Sequence, residues 1–391
     1  MPLRCSLALS AGLKLPYPLA EPRLTIAFVS RSTLYSSPGG DTVQVDRTAA
    51  YLRELGIGVA IYTTDQVIAY DRYDLFHFFN IIRPADILYH IDRMDKPFVV
   101  SPIFVDYAEY ERKCRGGLAG MIFRLAGNSR SEYLKCLLRW LKNGERVRSA
   151  RYWLLGHDRA IRYILQRCAA LLPNSASEYR RLQAQFGYEG RACVVPCAVD
   201  LSLFHKGAAE GRQDNLVLCV GRIEGRKNQL SLIRALKGSR YELVIIGQAS
   251  PNHRQYEAAC RAAAGEQVRF VQHISQEELQ DYYHRARVHV LPSWFETAGL
   301  SSLEAAYCGC NIVVGDKGDV RDYFGPDAWY CDPAQEQSIR QAVDQAAAAP
   351  FRSRLQQRIE QEFNWAHAAS QTRNCYATLF PALQEDTPDR A

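Results

Sequence analysis

Short apolar runs alternate with helical patterns along most of this chain, and this alternation constrains the fold more than any other feature of the sequence. The first run is Leu24–Val29, and an amphipathic helix is predicted to follow at Thr42–Leu55. The later runs are Ile57–Tyr62, Leu75–Phe79, Phe98–Ser101, Leu171–Asn174, Leu216–Val220, Leu243–Ile246, Val268–Val271, Val288–Leu291 and Ile312–Val314. Strands that are apolar throughout are buried on both faces, which is typical of parallel sheets covered by helices. The pattern therefore predicts an α/β fold with doubly wound parallel sheets.

The alternation restarts after Asp200, and the polar, glycine-containing stretch Pro196–Gly211 lies where the two series of apolar runs meet. At 391 residues the chain is long enough for two or three domains with real cores. We therefore expect two Rossmann-like domains joined near this stretch. In such sheets, ligands bind at the carboxyl ends of the strands.

Two carboxylates, Glu296 and Glu304, flank a predicted strand-to-helix turn. Pro292 ends the preceding strand, and a helix is predicted from Gly299 to Cys308. The free N–H groups at the start of that helix would favour a phosphate. Acids that cleave a glycosidic bond stand about 5–9.5 Å apart, whereas eight helical residues span roughly 12 Å. The spacing better suits binding of the two ends of a long ligand, a sugar at one end and a nucleotide ribose at the other.

Three ordered motifs resemble those of retaining GT-B glycosyltransferases of the family 4 type (glycosyl transferases group 1). They are Glu296-x7-Glu304, Gly221-Arg222 followed by Lys227, and Pro196–Asp200, in which Ala198 replaces the usual Gly. The resemblance implies two Rossmann-like domains that face a central cleft. The expected domains are 1–198, 199–365 and a C-terminal segment 366–391, whose helix at about Ala366–Leu379 crosses back to the first domain.

The resemblance also implies a function. A hexose would move from a UDP- or GDP-linked donor to a hydroxyl of a glycan or lipid-linked acceptor, with retained configuration, in cell-surface polysaccharide biosynthesis. No cofactor and no metal would be needed. A nucleotide-sugar epimerase of GT-B-like fold and a catalytically inactive nucleotide-sugar-binding protein remain alternatives.

The predicted site residues follow from the motifs and from their positions after strands. The predicted catalytic residues are Glu296, Arg222, Lys227 and Asp106. The predicted donor-binding residues are Glu304, Gly299, Leu300, Thr297, Ala298, Gly39, Gly40, Gly221, His273 and Ile274. Two fixed cations would stabilise the charge that grows on a leaving diphosphate.

Each of these assignments has a plainer alternative. Arg222 and Lys227 are also compatible with a solvated basic loop. Glu304 is also compatible with an exposed helix position, and Gly39–Gly40 is compatible with an ordinary turn. Relatives often carry a His-Asp pair after the fourth or fifth strand, but here only Asp106 occupies that place. His77 is either part of the cleft or a core histidine.

Charge and cysteine content limit the partners and the compartment. The net charge of +6 conceals fourteen Lys/Arg against four Asp/Glu in a basic helical insertion at about 111–167. This insertion either docks on an anionic membrane surface or packs on the first domain. No groove-reading motif accompanies the charge, so nucleic acid is not expected as a partner. Twelve scattered cysteines without CxxC pairs indicate reduced thiols and no zinc site. We expect a cytoplasmic protein, with peripheral attachment at the inner face of the cell membrane as an option.

Overall fold

The computed structural model describes residues 24–107, 109–110, 148–207, 211–272 and 274–383. The chain forms two parallel sheets. The first sheet has the order β2-β1-β3-β4-β5, with bounds β1 Thr25–Ser30, β2 Gly58–Thr63, β3 Leu75–Phe79, β4 Phe98–Ser101 and β5 Ala170–Leu171. The second has the order β11-β10-β9-β6-β7-β8, with bounds β6 Gln213–Val220, β7 Glu242–Ile246, β8 Val268–Val271, β9 Ala286–Leu291, β10 Asn311–Gly315 and β11 Trp329–Cys331.

Helices cover both faces of each sheet. Those of the first domain are α1 Gly40–Glu54, α2 Pro84–Ile91, α3 Ala150–Leu155, α4 His157–Leu165 and α5 Ala176–Phe186. Those that follow β6 are α6 Gln229–Leu236, α7 Arg254–Ala263, α8 Gln276–Arg285, α9 Leu300–Tyr307, α10 Val320–Phe324, α11 Glu336–Ala348, α12 Arg354–Glu362 and α13 Trp365–Ala377.

Burial along the strands explains the layered arrangement. In β1, Ile26 and Phe28 join one apolar cluster while Ala27 and Val29 join another on the opposite face of the sheet. Successive side chains of a strand point to opposite faces, so a strand that is apolar at every position must be covered on both sides. The prediction of two doubly wound parallel sheets is confirmed.

Three details differ from the sequence-based expectation. Strand β5 ends at Leu171 rather than Asn174, because the Asn174 N–H and side chain bond to Glu178 and Gln44 instead of to a strand. Strand β11 is three residues long, too short to stand out in the sequence. The last helix, expected at Ala366–Leu379, spans Trp365–Ala377, and its buried residues pack in the first domain's core. The boundaries 198/199 and 365/366 stay predictions.

The structure describes residues 148–167 of the predicted basic insertion. Residues 111–147 lie outside the described residues. Residues 150–165 form α3 and α4, which pack on α2 and contribute Tyr152 and Ile161 to a first-domain cluster. Of the described residues, none forms a helix that is both long and apolar enough to cross a membrane.

Candidate active site

A cleft of about 490 Å³ lies between the two domains, where the carboxyl ends of strands from both sheets face each other. Its volume is in the range of sites for nucleotide-sized ligands. The predicted site residues that line this cleft are Gly39, Gly40, Gly221, Arg222, Lys227, Glu296, Thr297, Ala298, Gly299, Leu300 and Glu304. The fold therefore brings together side chains that are up to 265 positions apart in the numbering, Gly39 and Glu304 being the most distant.

Lys227 and Glu296 form an ion pair in the cleft. The Lys227 Nζ lies 2.5 Å from the Glu296 Oε1, and both side chains are mostly shielded from solvent. Lys227 ends a short 3-10 turn, Gly225–Lys227, that follows β6. Glu296 follows β9, the strand paired with β6. The pairing of neighbouring strands thus explains how a motif after β6 meets a motif after β9.

A buried carboxylate that the sequence analysis missed organises the cations. Glu224 is 3% exposed, and both of its Oε atoms lie 2.9 Å from the Arg226 Nη2. Its Oε1 also lies 3.7 Å from the Arg222 Nη2. Burial by itself would raise the pKa of Glu224, but the nearby Arg226, Arg222 and Lys227 lower it below its ordinary value. Glu224 therefore stays ionised and anchors two arginines at the cleft.

The backbone of Glu296 is fixed by the loop after β10. The Asp319 N–H donates to the Glu296 carbonyl oxygen at 2.8 Å, and the Glu296 N–H donates to the Lys317 carbonyl oxygen at 3.4 Å. Between them, Gly318 has φ +82, and a Cβ there would lie 2.1 Å from the Glu296 carbonyl oxygen. Only glycine permits this close approach, so Gly318 determines where Glu296 stands.

The start of α9 forms the floor of the cleft on the second-domain side. Gly299, the N-cap residue, has φ 67, in the left-handed region. The Ser301 Oγ donates to the Val220 carbonyl oxygen at 2.9 Å, which ties the helix start to the end of β6. The first N–H groups of a helix have no partner within the helix and carry its positive dipole end. This end, Arg222 and Lys227 place positively charged groups along one side of the cleft.

Glu304 also lines the cleft, one turn into α9. Its Oε2 accepts a hydrogen bond from the Tyr283 hydroxyl at 3.1 Å. Burial raises the pKa of Glu304 to about 7, and the hydrogen bond from Tyr283 only partly offsets this effect. Glu304 is thus a carboxyl group with few protein partners in a cavity wall, a position suited to hydroxyl groups of a ligand.

The opposite wall comes from the loop between β1 and α1. Arg31 directly follows β1, and its guanidinium binds both Asp41 oxygens, at 2.5 and 2.9 Å. This pair was missed in the sequence analysis, and it holds the Gly39–Gly40 turn between its two members. A Cβ on Gly39 would lie 3.8 Å from the Arg222 Nη2. The glycine turn therefore comes close to the cations of the second domain.

Two of the predicted site residues that the structure describes, Asp106 and Ile274, do not line the cleft. Asp106 is exposed, whereas its neighbours Val105 and Tyr107 line the cleft, so the prediction of Asp106 as a catalytic residue is not supported by its position. Side chains alternate along an extended segment, which turns Asp106 outward. Ile274 packs against the core of the second domain. His273 lies outside the described residues.

His77 is a core histidine. It is 1% exposed, its Nδ1 lies 2.7 Å from the Tyr376 hydroxyl, and its Nε2 lies 2.8 Å from the Ser101 Oγ. Burial lowers the pKa of His77 to about 3, so the ring is neutral. His77 joins the last helix to the first sheet and has no role in the cleft.

Direct contacts hold the two domains in their present arrangement. Arg181, on α5, forms an ion pair with the buried Asp319, and its Nη2 donates to the Phe104 carbonyl oxygen at 3.0 Å. The Arg226 guanidinium lies over the ring of Tyr107, 4.6 Å from its centroid. These contacts join the first-domain wall, residues 102–107, to the loops that carry the donor motifs.

Among the described residues, no group of three or more His, Cys, Asp and Glu side chains is arranged to hold a metal ion. The cysteines of the same residues are free thiols, most of them buried.

Comparisons with known proteins agree with this architecture. Residues 203–362 match the family model described as glycosyl transferases group 1. Glycogen synthase of Mycobacterium tuberculosis is 30% identical over 196 residues, which are 44% of this chain and 47% of the relative. The matched part thus spans about half the length of such curated relatives.

Two solved structures are similar over most of the chain. Sucrose-phosphate synthase from Thermosynechococcus elongatus superposes with a TM-score of 0.71 at 19% identity, covering 92% of this chain and 100% of the other. An Anabaena protein, solved with UDP and glucose, superposes with a TM-score of 0.63 at 15% identity, covering 91% of this chain and 100% of the other. At these identities the likeness shows the fold. Together the comparisons show that residues 203–362 are similar to glycosyl transferases group 1 and that the chain has the two-domain GT-B fold.

Proposed function

We propose that this protein transfers a hexose from a nucleotide diphosphate sugar to a hydroxyl of a glycan or lipid-linked acceptor, with retained anomeric configuration. One observation carries the proposal: two cations, two carboxylates and a helix N-terminus converge on one cleft between the domains. The positive part suits a diphosphate. The carboxylates on either side of it suit hydroxyl groups of a sugar and of a ribose.

The transfer step assigns a role to each group. The acceptor oxygen forms a bond to the anomeric carbon, and the bond from that carbon to the diphosphate oxygen breaks with its electron pair on the diphosphate. The acceptor's proton passes to that departing oxygen, so no separate protein base is required. Arg222, Lys227 and the start of α9 stabilise the negative charge as it grows, and no metal ion is needed for this task.

Glu296 would bind the donor sugar while keeping its contact with Lys227. A lysine held between a carboxylate and a phosphate is fixed in place before the reaction, so little reorganisation is needed as charge moves onto the diphosphate. Glu304 would bind the ribose hydroxyls. Since Tyr283 already occupies one of its oxygens, the other carboxyl oxygen is the one assigned to the ligand.

The Anabaena structure with UDP and glucose favours a UDP-linked hexose over a GDP-linked one. Transfer to a growing cell-surface polysaccharide is the pathway that we propose for this activity. In it, the first domain would present the acceptor, and attachment to an anionic membrane surface through 111–167 would bring the enzyme to lipid-linked acceptors.

The test is a donor-turnover assay with UDP-glucose and GDP-mannose, with release of the free nucleotide as readout. Arg222→Ala, Lys227→Ala and Glu296→Ala should each lower turnover by at least 100-fold, about 3 kcal/mol of lost transition-state stabilisation. Lys237→Ala and Glu336→Ala change exposed or half-exposed charges of the same domain outside the cleft and should retain wild-type turnover. Near wild-type rates in all three cleft variants would rule the proposal out. Release of an isomerised sugar without acceptor would indicate an epimerase instead.

A further inference from the structure

Backbone strain is concentrated around the cleft. Among the described residues, the non-glycine residues with positive φ are Asn80 at 75°, Ile103 at 45° and Asn228 at 61°. Asn80 and Ile103 line the cleft, and Asn228 directly follows Lys227. The left-handed region costs an ordinary residue about 1–2 kcal/mol and is least accessible to a β-branched side chain such as that of Ile103. Strain of this kind persists where the surroundings enforce it, and it is often part of a binding site.

The left-handed turn at Asn80 is held by hydrogen bonds between two strand ends. Asn80 directly follows β3, and its N–H donates to the Ser101 carbonyl oxygen at 2.9 Å. The N–H of Ile81 donates to the Pro102 carbonyl oxygen at 2.8 Å. The turn after β3 is therefore fastened to the segment after β4, in which Ile103 is strained. Both residues are fixed in position before any ligand enters.

The Asn80 side chain has an unused hydrogen-bond acceptor. Its Oδ1 is buried and has no hydrogen-bond partner among the residues that the structure describes, a condition that costs about 1–3 kcal/mol. Ile82, Ile103 and Val105 line the same first-domain wall and offer no polar side chain. Two other carboxamides line the cleft from the first domain, those of Gln44 and Asn174, and they bond to each other. Of the three described carboxamides in this lining, that of Asn80 is the one whose oxygen has no partner, and a polar atom of this kind can fix the orientation of a ligand.

We propose that Asn80 accepts a hydrogen bond from a hydroxyl group of the acceptor sugar and thereby helps to select the acceptor; this proposal rests on the proposed function. A sugar ring would place an apolar C–H face on Ile82, Ile103 and Val105 and direct one hydroxyl to the Asn80 Oδ1. The ligand is assigned to the acceptor because Asn80 belongs to the first domain, at the carboxyl end of β3, the central strand of the first sheet. Arg222, Lys227, Glu296 and Glu304, the groups assigned to the donor, all belong to the second domain.

The test compares Asn80→Gly with Asn80→Asp in the full chain. Glycine adopts the same φ without strain and removes only the carboxamide, so Asn80→Gly should fold with an unchanged or higher melting temperature. Aspartate keeps an acceptor oxygen at the same place. The donor is UDP-glucose or GDP-mannose, whichever the wild-type protein hydrolyses, and the acceptor probes are the methyl α-glycosides of glucose, galactose and mannose.

For the most active glycoside, Asn80→Gly should lower kcat/KM at least 10-fold, mainly through a higher KM, while donor hydrolysis by water stays within two-fold of wild type. Asn80→Asp should recover part of the lost affinity. Wild-type kcat/KM in Asn80→Gly, or an equal loss in hydrolysis and in transfer, would overturn the proposal. So would donor hydrolysis that no glycoside accelerates, a result that leaves the proposed donor chemistry standing. Absence of both nucleotide binding and donor turnover in the wild-type protein would instead contradict the proposed function.

Discussion

Gly318→Ala should displace Glu296 and thereby impair the candidate active site without touching a ligand-binding side chain. The added Cβ would lie 2.1 Å from the Glu296 carbonyl oxygen and 2.9 Å from its nitrogen. Ordinary van der Waals contacts of a Cβ lie at 3.4–4 Å, so the loop after β10 or the Glu296 backbone must move by about 1 Å. A shift of this size at a positioning residue can cost about 100-fold in rate.

A matched variant separates the clash from the backbone strain. Gly238 belongs to the same domain and has φ +68, close to the +82 of Gly318. A Cβ at Gly238 would meet no atom of the described residues within 4 Å. Gly238→Ala should therefore lose only the free energy that the left-handed conformation costs an alanine, about 1 kcal/mol of unfolding free energy. Gly318→Ala carries that strain together with overpacking, which costs a further 1–3 kcal/mol.

Urea denaturation and nucleotide-release kinetics would be measured for both variants. We expect Gly318→Ala to lose about 2–4 kcal/mol of unfolding free energy and most of its turnover, and Gly238→Ala to lose about 1 kcal/mol with normal turnover. If the two alanine variants were equally stable and equally active, the assignment of Gly318 as the residue that sets the position of Glu296 would be refuted.

Three further predictions concern buried polar groups. Because burial raises the pKa of Glu304 from 4.5 to about 7 in the folded protein, the folded state binds this proton more tightly than the unfolded state does, and the free energy of unfolding should fall as pH rises from about 4.5 to about 7. Glu304→Gln should remove this loss, so its free energy of unfolding should exceed that of wild type by at most about 3 kcal/mol at pH 8 and should equal it at pH 4. A difference in unfolding free energy that stays constant across a pH series of denaturation curves would contradict this. Arg181→Met leaves the buried Asp319 without its cation and should lower the free energy of unfolding by about 3–5 kcal/mol. Arg181→Met combined with Asp319→Leu should restore part of that loss. Additive losses of unfolding free energy in a double-mutant cycle would show that the two residues are not coupled. Tyr376→Phe removes the hydroxyl bonded to the buried His77 and should lower the free energy of unfolding by about 1–3 kcal/mol. Nucleotide affinity measured by calorimetry should stay unchanged. A loss of nucleotide affinity would place His77 in the candidate active site.

The fold could be predicted from the sequence because its signal is local. Apolar runs such as Leu75–Phe79 and Phe98–Ser101 are strands with those bounds. The Glu296-x7-Glu304 motif could also be placed, since the strand before it and the helix within it are each visible in the sequence. Short elements lacked such a signal, and β11, with three residues, was missed.

The electrostatic organisation of the cleft could not be predicted, because it depends on burial and on contacts between distant residues. Neither Glu224 nor Arg226 was singled out from the sequence, but the fold buries Glu224 and places Arg226 over Tyr107. Asp106 is the reverse case: its position after β4 suggested a catalytic role, but in the structure Asp106 is exposed to solvent. The unpartnered Oδ1 of Asn80 likewise has no signal in the sequence.

The most direct test of the central claim is a crystal structure of the protein soaked or co-crystallised with UDP. The account predicts the diphosphate in the cleft between the domains, with its oxygens about 2.7–3.1 Å from the side chains of Arg222 and Lys227 and the ribose beside Glu304. A nucleotide bound elsewhere, with Arg222 and Lys227 directed into bulk solvent, would contradict it.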